Sequence, residues 1–166
     1  RGLYFVFMDD PDGFDRLREG LPAARGRDVQ FGRSLALGFT RVDRPEQLLA
    51  HLASAPTSED LADRLTGLTW ALAARRMNDA GYFERCLRGV SPEGRDLLER
   101  LPVLCDEALA ASHSYIEWQD KTREAVCAAY GQMRSTGPER LGNRAARGLP
   151  DNGERGEEGR RHQQQK

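Results

Sequence analysis

No stretch of this 166-residue chain approaches the roughly 20 apolar residues that a membrane-spanning helix requires, so a protein outside the membrane is expected. No n-region, apolar core and cleavage site of a secretory leader is visible either, although a start cut at Arg1 hides any such leader. Cysteine is sparse: Cys86, Cys105 and Cys127 are odd in number and too widely spaced for a metal knuckle or a redox pair. They read as reduced thiols of a cytoplasmic protein. Lysine is nearly missing, with Lys121 and Lys166 alone, and arginine carries almost all the positive charge. Together with much Ala, Leu and Gly, that substitution reads as the codon bias of a GC-rich bacterial genome.

A basic excess is missing as well. Of 25 basic and 26 acidic residues, seven and five fall in 135–166, leaving 18 and 21 in the first 134. A folded part on the acidic side argues against nucleic-acid binding, which needs a basic face. The segment 135–166 itself holds Leu141 and Leu149 among glycines, prolines and charges. It has too little apolar surface to offset the entropy of ordering it, so a disordered tail is expected after a helical domain over 1–134. At the other end the apolar Leu3-Tyr4-Phe5-Val6-Phe7-Met8 follows Arg1-Gly2 directly. Chain ends are usually polar and frayed, so this run predicts that further chain precedes Arg1 and that the domain is truncated there.

What is present is helical periodicity, with no convincing pair of strands; the opening run alone has strand propensity and stays open between helix and strand. Val29, Leu35, Phe39 and Val42 predict a helix over 28–42 capped by Asp28. Asp43-Arg44-Pro45-Glu46 reads as a capping box opening a helix through Leu48, Leu49 and Leu52 that stops at Ala55-Pro56. Thr57-Ser58-Glu59-Asp60 starts a long helix to Asn78, with Arg75-Arg76 complementing its dipole. A short helix follows over 82–88. Ser91-Pro92-Glu93 begins the next, which Pro102 is expected to interrupt, and the last helix is predicted over 114–133. Gly32-Arg-Ser-Leu-Ala-Leu-Gly-Phe39 and Gly67-Leu-Thr-Trp-Ala-Leu-Ala-Ala74 echo each other at an offset of 35 residues. The echo outlines stacked helix pairs, against the alternative that Gly/Ala/Leu-rich helices resemble one another by composition. The expected fold is all-α, made of packed, repeat-like helix pairs.

The chemistry is thin. Ser34 in Gly32-Arg33-Ser34-Leu35-Ala36 brushes against a nucleophile elbow, but that motif needs a strand-to-helix turn, and here the segment is helical. His113 and Glu117, with Glu107 before them, share spacing on a helix, yet no second Glu-x-x-His accompanies them. A surface salt bridge is the expected outcome, with no metal and no cofactor. His51 is placed on the exposed flank of its helix and His162 in the tail. Trp70, Tyr115 and Trp118 sit at helical positions that suit a core, or a wall for a flat or polyunsaturated ligand. Arg25, Arg27 and Asp28 crowd a helix start, as a solvated cap or as an anion site at its amide end.

Three segments, taken in order, resemble the C-terminal half of a bacterial family encoded beside enediyne polyketide synthases. They are Arg1-Gly-Leu-Tyr-Phe-Val-Phe7, Leu21-Pro-Ala-Ala-Arg25-Gly-Arg-Asp28-Val and Phe31-Gly32-Arg-Ser-Leu-Ala-Leu-Gly38-Phe39. The family shows Gly-Arg-x-Leu-Trp-Phe-Val, Phe-Pro-x-x-Arg-x-x-Asp-Leu and Gly-x-Gly-Leu-Ala runs. These fall on Arg1 to Val6; on Leu21, Pro22, Arg25, Asp28 and Val29; and on Gly32 to Ala36. Leu65-Thr-Gly67-Leu-Thr-Trp-Ala71, the Cys86 segment and Tyr115-Ile-Glu-Trp118 resemble its later helices more loosely. Leucine replaces the aromatic before Pro22, Ser34 stands where a second glycine is usual, and a glycine pair after the second helix is absent. The resemblance covers residues 1–130 and implies a biosynthetic neighbourhood without a mechanism. The expectation is an accessory protein of enediyne-type polyketide biosynthesis that binds or shapes a hydrophobic intermediate, with Trp70, Tyr115, Trp118, Arg25 and Asp28 as its contacts. A helical-repeat adaptor docking a partner biosynthetic enzyme is the alternative. An enzyme whose catalytic residues lie before Arg1 is the third.

Overall fold

The computed structural model describes residues 10, 13, 16–17, 19–22 and 25–136, with side chains as far as 132. The opening apolar run, His162 and the predicted tail beyond 136 lie outside the described residues. Six α-helices and no strand make up the described part: α1 Gly26–Thr40, α2 Pro45–Ala53, α3 Ser58–Asn78, α4 Ala80–Leu87, α5 Pro92–Ala110 and α6 Tyr115–Thr136. The fold is all-α, and α6 carries Ser135 and Thr136, two residues beyond the predicted domain boundary.

Start signals decide the local structure, and not always as expected. Thr57 caps α3 by accepting the Asp60 amide at 3.0 Å; Asp79 and Ser91 do the same for α4 and α5. Asp28 does not cap α1. Arg25 already has helical dihedrals, so the helix begins at Gly26 and Asp28 falls in its first turn. Nor does Asp43 cap α2: Pro45 takes the first helical position and makes Arg44 the cap residue, with no side-chain bond. Pro102 interrupts nothing. It lies buried inside α5, where one missing amide bond is outweighed by the continuous buried stripe Leu97, Leu98, Leu101, Leu104 and Cys105.

The central element is α3, buried on every side from Ala62 to Thr69. It runs parallel to α1 in a nearly fixed register, since Arg27 meets Asp63, Gln30 meets Arg64 and Phe39 meets Arg75. Small residues allow the close approach. A Cβ at Gly67 would stand 2.2 Å from the Phe31 carbonyl oxygen, and one at Gly38 would stand 2.5 Å from the Ala71 Cβ. The two echoing segments are therefore the two faces of one helix–helix contact, with α2 as the crossover between them. The core continues through Val42, Leu48, Leu52, Leu65, Leu68 and Leu72 to Phe83, Leu87, Leu98, Leu101 and Val126. Against this layer α6 lies antiparallel to α3: Arg123 reaches Glu59 and Asp63 near the start of α3, and Trp118 meets Trp70 further along it.

Candidate functional site

Three helices, α1, α3 and α6, enclose an open cavity of about 260 Å³. From α1 come Arg27, Asp28 and Phe31, from α3 Asp63 and Thr66, and from α6 Gln119, Asp120 and Arg123. Helical spacing sets this lining: Asp63 and Thr66 are three apart, as are Asp120 and Arg123, so each pair projects to one side of its helix.

Asp63 is the buried centre of the charges, at 5 % exposure. Its Oδ1 accepts from Arg27 Nε and from Arg123 Nε, each at 3.3 Å. Arg123 Nη2 also donates to Glu59 Oε2 at 2.7 Å. Burial pushes the Asp63 carboxyl pKa up, although Arg123 and Arg27 pull the other way. For Arg123 burial works against the cation, but Asp63 and Glu59 outweigh it and its pKa rises. Asp63 is the more deeply buried partner, so the cost of desolvation weighs more on the carboxylate than on the guanidinium.

Beside the cavity the predicted aromatic trio comes together. The indoles of Trp70 and Trp118 stack at 4.2 Å and 16°. Tyr115 stands edge-on to Trp70 at 5.3 Å and to Trp118 at 6.2 Å. Phe31 meets Trp70 edge-on at 5.6 Å and also lines the cavity, so it joins the two features. Trp118 Nε1 donates to the Cys105 carbonyl at 3.1 Å. Trp70 Nε1 is enclosed and finds no acceptor among the described residues. Arg25 and Asp28 pair with each other at 3.3 Å on the surface, and Asp28 also reaches the cavity.

No family model, curated protein or solved structure matches this chain.

His51 is not on an exposed flank. Its Nε2 lies 2.7 Å from Ser34 Oγ, which invites comparison with a serine–histidine dyad. Two observations exclude that role. Ser34 is fully enclosed, and the charges around the imidazole are cations: burial first, then Arg64 and Arg33, lower its pKa to about 3. A histidine acting as general base must be able to hold the proton it takes; here the neighbouring cations oppose the imidazolium. The pair belongs to a buried polar junction in which Arg64 donates to Gln30 Oε1, to the His51 carbonyl and to Ser54 Oγ.

His113 and Glu117 do not form a carboxylate–imidazole face either. His113 precedes α6, and the Glu117 carboxylate accepts its backbone amide at 2.8 Å while Ser114 Oγ accepts the Glu117 amide at 3.2 Å. This is a reciprocal cap. No group of three or more His, Cys, Asp or Glu side chains that could hold a metal exists among the described residues. No described helix is long and apolar enough to cross a membrane. The three cysteines are free thiols, and burial above all pushes that of Cys105 up to about 11, which makes it a poor nucleophile. Sequence reasoning missed Asp63, Thr66, Gln119, Asp120 and Arg123. The available signal was a charged pair, Asp63-Arg64, set between Leu61-Ala62 and Leu65 on a helix whose other flanks are apolar.

Proposed function

We propose that this protein is an accessory ligand-binding protein of enediyne-type polyketide biosynthesis, acting in the cytoplasm, where it holds or shapes an intermediate. The observation that carries the binding role is the Phe31–Trp70–Trp118–Tyr115 cluster opening through Phe31 onto the cavity. An aromatic flank next to a small set of convergent polar groups is the usual make-up of a small-molecule site. The biosynthetic setting rests on the resemblance of the three N-terminal segments. The stacked indoles refine the contact: each ring already covers one face of the other, so a ligand meets the Phe31 edge of the cluster and the polar lining beyond it.

The protein has two tryptophans, and both lie in the cluster, so its indole emission reports on this site. A conjugated polyene added to the folded protein is expected to quench that emission saturably. Unchanged emission in a protein shown to be folded by circular dichroism would sink the proposal.

Exposed apolar residues at the α5–α6 corner, Leu109 at 52 %, Tyr115 at 51 % and Ile116 at 71 %, favour a second reading as an adaptor that docks a partner biosynthetic enzyme. It expects co-purification with that enzyme, lost when Ile116 is changed to serine.

A further inference from the structure

Asp63 faces the cavity with part of its accepting capacity unspent. Both arginine bonds go to Oδ1, and so does the closest approach of Arg123 Nη2 at 3.1 Å; Oδ2 takes no bond from any described residue. Of the lining carboxylates, Asp28 is paired with Arg25 at 3.3 Å, Asp63 is shared by Arg27 and Arg123, and Asp120 forms no ion pair with any described residue. Gln119 and Asp120 add further side-chain acceptors that no described residue occupies. The carboxylates do not converge into a metal site, so the cation that fits is an extended one, with several donors and carbon surface. Phe31 offers that surface an aromatic ring.

We propose that this cavity seats the protonated amine of a small organic ligand, with Asp63 and Asp120 as its acceptors and Phe31 against its carbon skeleton. The proposal rests on the reading of this site as a ligand-binding site and narrows the ligand to an amine-bearing one. A bound ammonium would donate to the open Asp63 Oδ2 and to Asp120, and charge-assisted bonds of this kind are the strong ones. An anion fits less well. Arg123 is committed to Asp63 and Glu59 and is only 20 % exposed, while the Arg27 side chain is 63 % exposed and well solvated.

The test uses the full chain at neutral pH, with calorimetry and tryptophan emission, and three probes of similar size: phenethylamine, 3-phenylpropionate and 2-phenylethanol. Phenethylamine is expected to bind best. Asp120→Asn, on an exposed side chain that leaves the fold alone, is expected to weaken it about tenfold, and Asp63→Asn at least as much. Tighter binding of the phenylpropionate, phenethylamine affinity unchanged in Asp120→Asn, or no binding of phenethylamine overturns the proposal. If phenethylamine fails while the polyene still quenches, the amine assignment falls and the binding role stands; if both fail, both fall.

Discussion

Gly67 shows how far one missing methyl group reaches. The Phe31 carbonyl occupies the space a side chain would need, with the Leu35 amide nitrogen 3.1 Å from the same point, and backbone cannot swing aside as a flexible side chain can. Gly67→Ala must push α1 off α3, breaking the register that sets Arg27 on Asp63 and Phe31 on Trp70. A loss of about 3 kcal/mol or more is expected, read by urea unfolding, together with a shift in tryptophan emission. Gly131 is the contrasting position: nothing lies within 4 Å of its Cβ site on exposed α6, so Gly131→Ala is expected to stabilise by about 0.5–1 kcal/mol. A Gly67→Ala protein as stable as the parent would mean that the helices do not approach this closely.

At the scale of elements, cap chemistry separates helices that the sequence makes equally plausible. Thr57→Ala removes the acceptor of the Asp60 amide and is expected to cost about 1 kcal/mol. Asp43→Ala, at the position where a capping box was expected, touches no cap bond of α2 and is expected to change thermal stability by less than about 0.5 kcal/mol. Equal losses in the two variants would contradict the observed start of α2. Most helices were legible because apolar spacing survives tertiary packing: Leu61, Leu65, Leu68 and Leu72 mark α3 whichever neighbours it meets. The first turns of α1 and α2 were not, because Asp28 and Asp43 suit a cap by composition, while the helix start depends on backbone angles at Arg25 and on the ring of Pro45. The site was half legible. Trp70, Tyr115 and Trp118 stand out as residue types and do meet, whereas Asp63 and Arg123 are 60 positions apart and look like ordinary surface charges until α6 folds back along α3.

For the whole molecule, the buried junction under α2 couples folding to pH. His51 is neutral in the folded protein with its pKa lowered to about 3, by burial first and then by Arg64 and Arg33, against about 6.5 in an unfolded chain. Between those values the unfolded state binds the extra proton, so the contribution of His51 is complete above pH 6.5 and drains away as pH falls toward 3. The limiting slope is about 1.4 kcal/mol per pH unit, against a total of about 5–15 kcal/mol typical of a small domain. Asp63 acts in the opposite sense. Its raised pKa means that the folded state takes up a proton before the unfolded one does, so its contribution grows as pH falls through the folded value and is complete below the ordinary carboxylate value near 4. Stability is therefore expected to fall with acidification below pH 6.5, and to fall less steeply once Asp63 takes up its proton. His51→Gln keeps a side-chain partner within reach of Ser34 Oγ and removes the titrating group. Urea denaturation at a series of pH values should show the slope between pH 6.5 and 5 in the parent and its loss in His51→Gln; the same slope in both proteins would place the pH sensitivity elsewhere.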